Sequence, residues 1–596
     1  MYYFTRSIKI LEKEGIKGLS KRVFHKLMGR SAYPDQNKLY ENWLNQIEKP
    51  YLENESQKGK PFDSARKTSL AQGKQPKISI LMPVYNVDPK ILEEAIESVK
   101  AQWYPNWELC LYDDCSTNLA TVDYLKKLNT QSSKLKALEL QFGEVNLNIS
   151  GATNKAYEMS SGDYLMLMDN DDMLRPNALY EIVKAINEHD NLDLIYFDED
   201  KLDKFGSRIE PWFKPDFSPE LMWSMMYPTH AVYSRKIFEK AGKMRIGFEG
   251  SQDYDLALRV MELTDKIHHI PWVLYNWRKV EGSTAENISG KSYAITSAKQ
   301  ALKEAMKRRG FEGEIQNDFY PFIPVFKMQS NPTVEIIIPI KDKIKLLQNC
   351  LESIWEKTTY SNYSITVINN NSQEEKTLKY LESIKKKVQV LDYPKEYNFS
   401  AINNFAVSKS TADYVLFLNN DTKIITENWL EGLLMWASQK EIGAVGAKLL
   451  YPDHTVQHAG ILVGVGGVAN HAYYRQPEEN NFYFNHLHCV RNYLAVTGAC
   501  MMVSREKFNK VGGFEEKLPL AFNDVDLGLK LHEKGLRNVY TPYVELIHFE
   551  SKSRDPKVTK NEDQFMHDKW DKYIKNDPYY NPNLTRDISS KPPFSL

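Results

Sequence analysis

Cysteine is scarce in this chain. The five cysteines among 596 residues (Cys110, Cys115, Cys350, Cys489 and Cys500) lie far apart and are odd in number. That excludes a disulfide framework and the paired spacing of a zinc knuckle, and it fits a reducing compartment. Long apolar runs are missing too. The nearest candidate, residues 459–469, is short and glycine-rich, whereas a membrane-spanning helix needs roughly 18 to 20 apolar residues. The amino terminus has no uninterrupted apolar core followed by a small-residue cleavage site, so no secretory signal is expected and the cytoplasm is the expected location. Excess charge is also absent. Lys+Arg 77 against Asp+Glu 78 leaves a net charge of -1, which gives no electrostatic case for nucleic acid.

What the chain does have is a repeated strand end. Asp163-Tyr164-Leu165-Met166-Leu167-Met168-Asp169-Asn170-Asp171-Asp172 is a short apolar run that ends in carboxylates. It predicts a buried parallel strand delivering Asp169 and Asp171 to the mouth of an α/β sheet, where two hard oxygen ligands can hold a divalent ion. Ala412-Asp413-Tyr414-Val415-Leu416-Phe417-Leu418-Asn419-Asn420-Asp421 repeats the design. Pro83 to Pro339 and Ser116 to Ser372 are each offset by 256, and Asn154 to Asn404 and Asp171 to Asp421 by 250. A nearly constant offset across separate motifs marks duplicated domains. It grows to 271 from Asp253 to Asp524, so the second copy carries an insertion, placed most simply in 449–491. Strands alternating with helices predict a mostly parallel sheet in each copy.

The expected organisation is a basic helical segment over 1–52, a polar linker over 53–77 and a first α/β domain over 78–310. A connector over 311–333, a second domain over 334–555 and an extension over 556–596 follow. Residues 1–30 carry Arg6, Lys9, Lys13, Lys17, Lys21, Arg22, Lys26 and Arg30 against Glu12 and Glu14, with apolar residues at helical spacing. Two short basic amphipathic helices of this kind suit the surface of an anionic membrane; packing on the protein's own body is the alternative.

Four ordered motifs occur twice. Pro83-Val84-Tyr85-Asn86, Asp113-Asp114-Cys115-Ser116, Asp169-Asn170-Asp171-Asp172 and Gln252-Asp253-Tyr254-Asp255 resemble the inverting family 2 glycosyltransferases of the GT-A fold. In the second half, Gln457-His458-Ala459-Gly460, Thr497-Gly498-Ala499-Cys500, Gly512-Gly513-Phe514, Asn523-Asp524-Val525-Asp526 and His548-Phe549-Glu550-Ser551 resemble its bacterial rhamnosyl- and galactofuranosyltransferase-like members. The resemblance implies two tandem GT-A domains, a nucleotide-sugar donor (UDP- or dTDP-sugar), Mn²⁺ or Mg²⁺, and a glycan or lipid-linked glycan acceptor at the inner face of the cell membrane.

Carried over residue by residue, the resemblance makes Asp253 and Asp524 the bases that deprotonate an acceptor hydroxyl. Asp169 and Asp171, and in the second copy Asp421 with His548, would hold the metal. Donor contacts fall to Pro83, Tyr85, Asn86, Asp113, Asp114, Ser116, Asn154, Asp169 and Arg278, and to Pro339, Asn369, Asn370, Ser372, Asn404 and Asn419. Two departures stand out. Asn369-Asn370 replaces the acidic pair and Asn419 the first metal carboxylate, and no histidine stands at Tyr275-Asn276-Trp277-Arg278 to match His548. Arg278 could there face the diphosphate directly.

Other readings stay open. Asp113 or Asp169 alone could be a helix cap, and Asp255 and Asp526 could orient or cap the base helices. Trp212, Phe213, Phe217, Trp223 and Tyr227 could line an acceptor groove or the core. His458, His471, His486 and His488 match no zinc spacing. One domain could bind acceptor without catalysing, or the whole chain could be a sugar-binding scaffold. A nucleotidyltransferase would need a glycine-rich triphosphate loop, which Pro83-Val84-Tyr85-Asn86-Val87-Asp88 does not supply.

Overall fold

The computed structural model describes residues 36–57, 73–132, 137–279, 292–479, 481–550 and 558–588, with Phe594 and Leu596. The two basic helices expected over 1–30 lie outside the described residues. Gln36–Pro324 makes the body of one compact unit and Val325–Tyr580 that of another.

The first unit is built on β1 (Ile78–Val84), β2 (Trp107–Asp113), β3 (Leu138–Phe142), β4 (Tyr164–Leu167), β5 (Met173–Leu174), β6 (Leu194–Leu202), β7 (Arg208–Trp212), β8 (Val232–Ser234) and β9 (Ile267–Arg278). They form one sheet in the order β3-β2-β1-β4-β8-β6-β9-β5, with β7 beside β6. The first four are parallel, and β8 enters antiparallel between β4 and β6. β1 is buried along nearly its whole length, as a strand covered by helices on both faces must be. The helix Pro89–Lys100 follows it because Asp88 accepts a hydrogen bond from the Lys90 N–H and proline occupies the first turn.

After β10 (Gly313–Gln316) and β11 (Ile323–Phe326), a two-stranded pair within the expected connector, the second unit repeats the plan. Its strands are β12 (Val334–Ile340), β13 (Tyr363–Asn369), β14 (Gln389–Asp392), β15 (Tyr414–Leu418), β16 (Thr422–Ile424), β17 (Ile442–Leu450), β18 (Val456–His458), β19 (Ile461–Val463), β20 (Ala469–His471), β21 (Arg491–Tyr493), β22 (Cys500–Ser504) and β23 (Arg537–His548). The order β14-β13-β12-β15-β22-β17-β23-β16 matches the first sheet strand for strand. The registers agree as well: Ile78 faces Tyr164 in one copy and Val334 faces Tyr414 in the other. The extra residues of the second copy hold β19 and β20, a separate antiparallel pair.

Two segments differ from the expected boundaries. The helix Lys49–Gln57 continues into the stretch assigned to a linker. There Tyr51 stacks on Trp272 at 4.2 Å between ring centroids and donates a hydrogen bond to Glu181. Past 555, the helix Lys560–Lys575 is capped by Thr559 and Glu562 and packs Met566, Trp570 and Ile574 into the second unit's core. The aromatics with two readings are settled for four of the five, since Trp212, Phe213, Trp223 and Tyr227 are buried in the core.

A buried ionic lock joins β6 to β9. His269 Nε2 lies 2.8 Å from Asp198 and Nδ1 3.0 Å from Asp216. Burial pulls the imidazole pKa down, but the two carboxylates outweigh it and raise it to about 9. A raised imidazole stabilises the fold below its ordinary value near 6.5, and the gain is lost as pH climbs through 9. The first unit should therefore lose on the order of 1–3 kcal/mol between those pH values. Thermal unfolding across that range checks this, and His269→Gln should flatten the dependence.

Candidate active site

In the first unit the carboxyl ends of β1 and β4 open on one cleft. Pro83, Asp169, His230, Gln252 and Asp253 all line it. The metal candidate Asp169 and the base candidate Asp253 are thus brought together from β4 and from the first turn of the helix Gln252–Met261. Asp253 is half-buried. Burial raises its pKa above the ordinary carboxylate value, and Asp169 adds to the shift. Its neighbour Asp255 has a different task. It is fully buried and bonded to Arg245 and Arg259, so it holds the helix in place.

The turn after β4 is fastened from behind. Asp172 is fully buried and accepts hydrogen bonds from the Tyr275 hydroxyl and the Arg278 N–H, each at 2.7 Å. The Arg278 guanidinium is committed to the Asp171 carbonyl and to Glu94, each at 2.8 Å. The arginine expected to face a diphosphate therefore buttresses the acidic turn. The Asp171 carboxyl is pushed up to about 6 by burial and by Asp169.

Sequence reasoning missed His230. Ligand atoms of Asp169, Asp172 and His230 lie within 4.8 Å of one another. The ring stacks on Tyr275 at 3.8 Å and places Nδ1 3.0 Å from Glu199. Glu199 is bonded to Lys214 at 2.9 Å and Thr229 at 2.6 Å, and it is held well below the carboxylate range against the opposing effect of burial. It therefore accepts a hydrogen bond from Nδ1–H, which keeps the proton on that nitrogen and leaves the Nε2 lone pair for the cleft, as a carboxylate behind a metal-ligating histidine does. Two carboxylates and an imidazole form a donor set that suits Mn²⁺. The only sequence signal was a lone histidine beside Pro228 and Thr229.

At the donor end, Asp113 is buried, accepts from the Ser116 N–H at 3.3 Å and keeps Oδ1 without a partner. Asp114 accepts from the Leu147 N–H at 2.7 Å. Tyr85 is exposed. Asn86 and Ser116 form a clip. The Asn86 N–H donates to Ser116 Oγ at 2.9 Å, and Asn86 Oδ1 accepts from the Thr117 and Asn118 N–H groups at 2.8 Å. Asp342 and Ser372 make the same clip in the second unit. Asn154 spends both ends of its amide on the Met244 backbone, and Asn404 does so on Phe514. These amides fix the loops around the cleft.

In the second unit His548 Nε2 lies 3.1 Å from Asp421 Oδ1 and 3.3 Å from the Asn419 amide, while Nδ1 is buried without a partner. Neither tautomer satisfies this ring, a fitting arrangement for a group that binds a ligand. Asp524 is half-buried and accepts from the Gly498 N–H at 3.0 Å. Asp526 is bonded to Lys569 at 2.7 Å and to Trp570 Nε1 at 2.9 Å. Pro339 stands on β12 as Pro83 does on β1, and the two pair with Ile368 and Tyr112. Asn369 bonds to Asp392 at 2.8 Å, and Asn370 keeps Oδ1 buried and unpaired.

The strand registers align the two centres. Tyr164 pairs with Ser234 and Tyr414 with Ser504, so Cys500 stands where His230 does. Met173 pairs with Asn276 and Thr422 with His548, so Trp277 stands where His548 does. Among the described residues each unit brings one histidine to its acidic turn, from the loop before β8 in the first and from β23 in the second.

The glycosyl transferase family 2 model matches residues 79–242 and 335–512. An uncharacterized protein, y4gI, of Sinorhizobium fredii is 40% identical over 85% of this chain and 58% of its own length. The O-antigen biosynthesis protein RfbC of Myxococcus xanthus is 35% identical over 88% of this chain and 41% of its own length. The chain thus spans about half the length of the curated relatives it matches. Among solved structures, S. aureus TarS 1-349 in complex with UDP-GlcNAc aligns over 39% of this chain and 72% of that one, at 18% identity and a TM-score of 0.31. Matched once in each α/β unit, over stretches that contain the metal-candidate turns, the chain belongs to glycosyl transferase family 2.

Proposed function

We propose that this chain is a bifunctional inverting glycosyltransferase with one centre in each unit. It moves sugars from UDP- or dTDP-activated donors to a growing, lipid-linked cell-surface polysaccharide at the inner face of the membrane. The relative named for O-antigen biosynthesis supports the polysaccharide. Among the described residues no helix is long and apolar enough to cross a membrane. The observation that carries the reading is the cleft shared by Asp169 and Asp253. A carboxylate on the diphosphate side and a base facing the same cleft support in-line attack on an anomeric carbon bound between them.

In the first centre Asp113 Oδ1, buried and unpaired, accepts from a base N–H or a ribose hydroxyl. Asp169, Asp172 and His230 hold Mn²⁺ or Mg²⁺, and Asp171 adds charge beside them. When bound, such an ion stabilises the charge that builds on the departing diphosphate. Asp253 takes the proton of the attacking hydroxyl, and burial, by raising its pKa, makes it a stronger base than an exposed carboxylate. In the second centre Asp421 and His548 hold the ion, Asn370 Oδ1 meets the donor and Asp524 is the base.

Two outcomes are expected. Asp253→Asn and Asp524→Asn should each cost roughly 10² to 10⁴ in one transfer and spare the other. Mass spectrometry would then find products stalled at two different lengths. If Asp524→Asn changes nothing while Asp253→Asn removes all activity, the second unit only binds acceptor. The other outcome concerns the metal. His230→Phe should weaken Mn²⁺ binding to the first centre, and Glu199→Gln should weaken it roughly tenfold to a hundredfold. Manganese paramagnetic resonance reads this without turnover, and unchanged affinity in both variants would remove His230 from the ligand set.

A further inference from the structure

The insertion that distinguishes the second unit carries two histidines that its proposed catalysis does not use. His458, at the end of β18, is fully buried, and His471, at the end of β20, is half-buried. Their Nδ1 atoms lie 2.9 Å apart. On the far side of the first ring, His458 Nε2 faces the Gly460 and Thr497 N–H groups, each at 3.3 Å.

Hydrogen-bond bookkeeping fixes every proton in this chain. Backbone N–H groups only donate, so His458 Nε2 carries no hydrogen and its single proton sits on Nδ1. That proton is donated to His471, whose Nδ1 must therefore be a bare acceptor. His471 is left with its hydrogen on Nε2. Protonating either ring would set two N–H groups against each other or against the backbone, so both imidazoles are neutral. Among the described residues no protein group is hydrogen-bonded to that Nε2–H.

The pair is tied to the base. The Thr497 N–H meets His458, and the next residue's N–H, Gly498, meets Asp524 Oδ2 at 3.0 Å. The charged groups whose fields reach His471 are Asp524, His548 and Glu550, two of them at the proposed reaction centre. Among the described residues the first unit has no counterpart of β19 and β20, which assigns the device to the second transfer.

We propose that His471 presents a fixed Nε2–H donor to an oxygen of the acceptor sugar in the second centre, beside the hydroxyl that Asp524 deprotonates. A donor that cannot accept, next to a carboxylate that cannot donate, distinguishes the two hydroxyls of a diol. The attacking one gives its proton to Asp524, and its neighbour offers a lone pair to His471. His458 acts through His471 and is a positioning residue. The inference rests on the reading of the second unit as a catalytic centre.

The test uses the full chain, UDP- and dTDP-sugar donors, and p-nitrophenyl rhamnosides, galactosides and N-acetylglucosaminides as surrogate acceptors. A glutamine amide nitrogen reaches where imidazole Nε2 lies, whereas an asparagine amide reaches only as far as Nδ1. His471→Asn should therefore raise the acceptor KM and lower kcat/KM roughly tenfold to a hundredfold at unchanged donor KM, and His471→Gln should recover most of the loss. A site that had merely collapsed would move both KM values and would not be rescued by glutamine. Nitrogen-15 shifts of the imidazoles at neutral pH, which need no turnover and no variant, should show His471 protonated on Nε2 and His458 on Nδ1. The opposite tautomer, or a charged ring, overturns the proposal. So does a His471→Asn variant with wild-type acceptor KM where Asp524→Asn abolishes the second transfer. An Asp524→Asn variant that makes wild-type product overturns the reading of the second centre itself.

Discussion

The parallel register of the first strand against its two neighbours is the constraint from which both centres follow. Val84 faces Asp113 and Leu81 faces Leu167 in one unit; Ile340 faces Asn369 and Ile337 faces Phe417 in the other. A one-residue slip along either ladder would turn every side chain to the opposite face of the sheet. The acidic turn after β4 and the loop after β2 would then no longer keep their places beside the end of β1. Near-continuous burial of these strands makes such a slip costly, so the register, set by ordinary apolar packing, positions the polar chemistry.

Much of this was legible in the sequence, because duplication, strand ends and a base at the start of a helix leave periodic or ordered marks. Asp169 and Asp253 meet in one cleft, and the second copy reproduces the strand order of the first. The contributions of the antiparallel strand β8 were not legible. His230 reaches the acidic turn from a loop about sixty residues downstream, and its environment of Glu199, Lys214 and Thr229 exists only once β6 and β8 are paired. Arg278 was expected at the diphosphate on the strength of its charge; Glu94, from the helix after β1, claims it. The amides of Asn154 and Asn404 marked the right region, but their polar atoms close on backbone, a distinction that spacing alone does not carry.

The two units solve one electrostatic problem in different ways. The first buries carboxylates together at its turn, and burial, with their mutual repulsion, raises the pKa of Asp171, Asp172 and Asp253; it offsets them with a histidine from the loop before β8. The second trades Asp169 for Asn419 and the Asp113-Asp114 pair for two amides, and it takes its histidine from β23. The ring moves from the loop before β8 in one unit to the end of β23 in the other, while a cysteine and a tryptophan occupy the vacated positions. Each arrangement works only as a set. Placing a histidine at 500 would crowd His548, and removing the tryptophan at 277 would unpack one side of His230.

The helix Lys560–Lys575 bears on how the protein can be divided. By repeat length the second domain ends near residue 555, yet Trp570 and Lys569 supply hydrogen bonds to Asp526, two positions from Asp524. A fragment cut where the repeat ends would leave a buried carboxylate short of two of its partners at the start of the helix that carries the proposed base. Desolvated charge of that kind is relieved by protonation or by local unwinding. The evolutionary module and the unit of folding thus have different boundaries, and inactivity of a fragment trimmed to the module would report a missing counter-charge, not a missing catalyst.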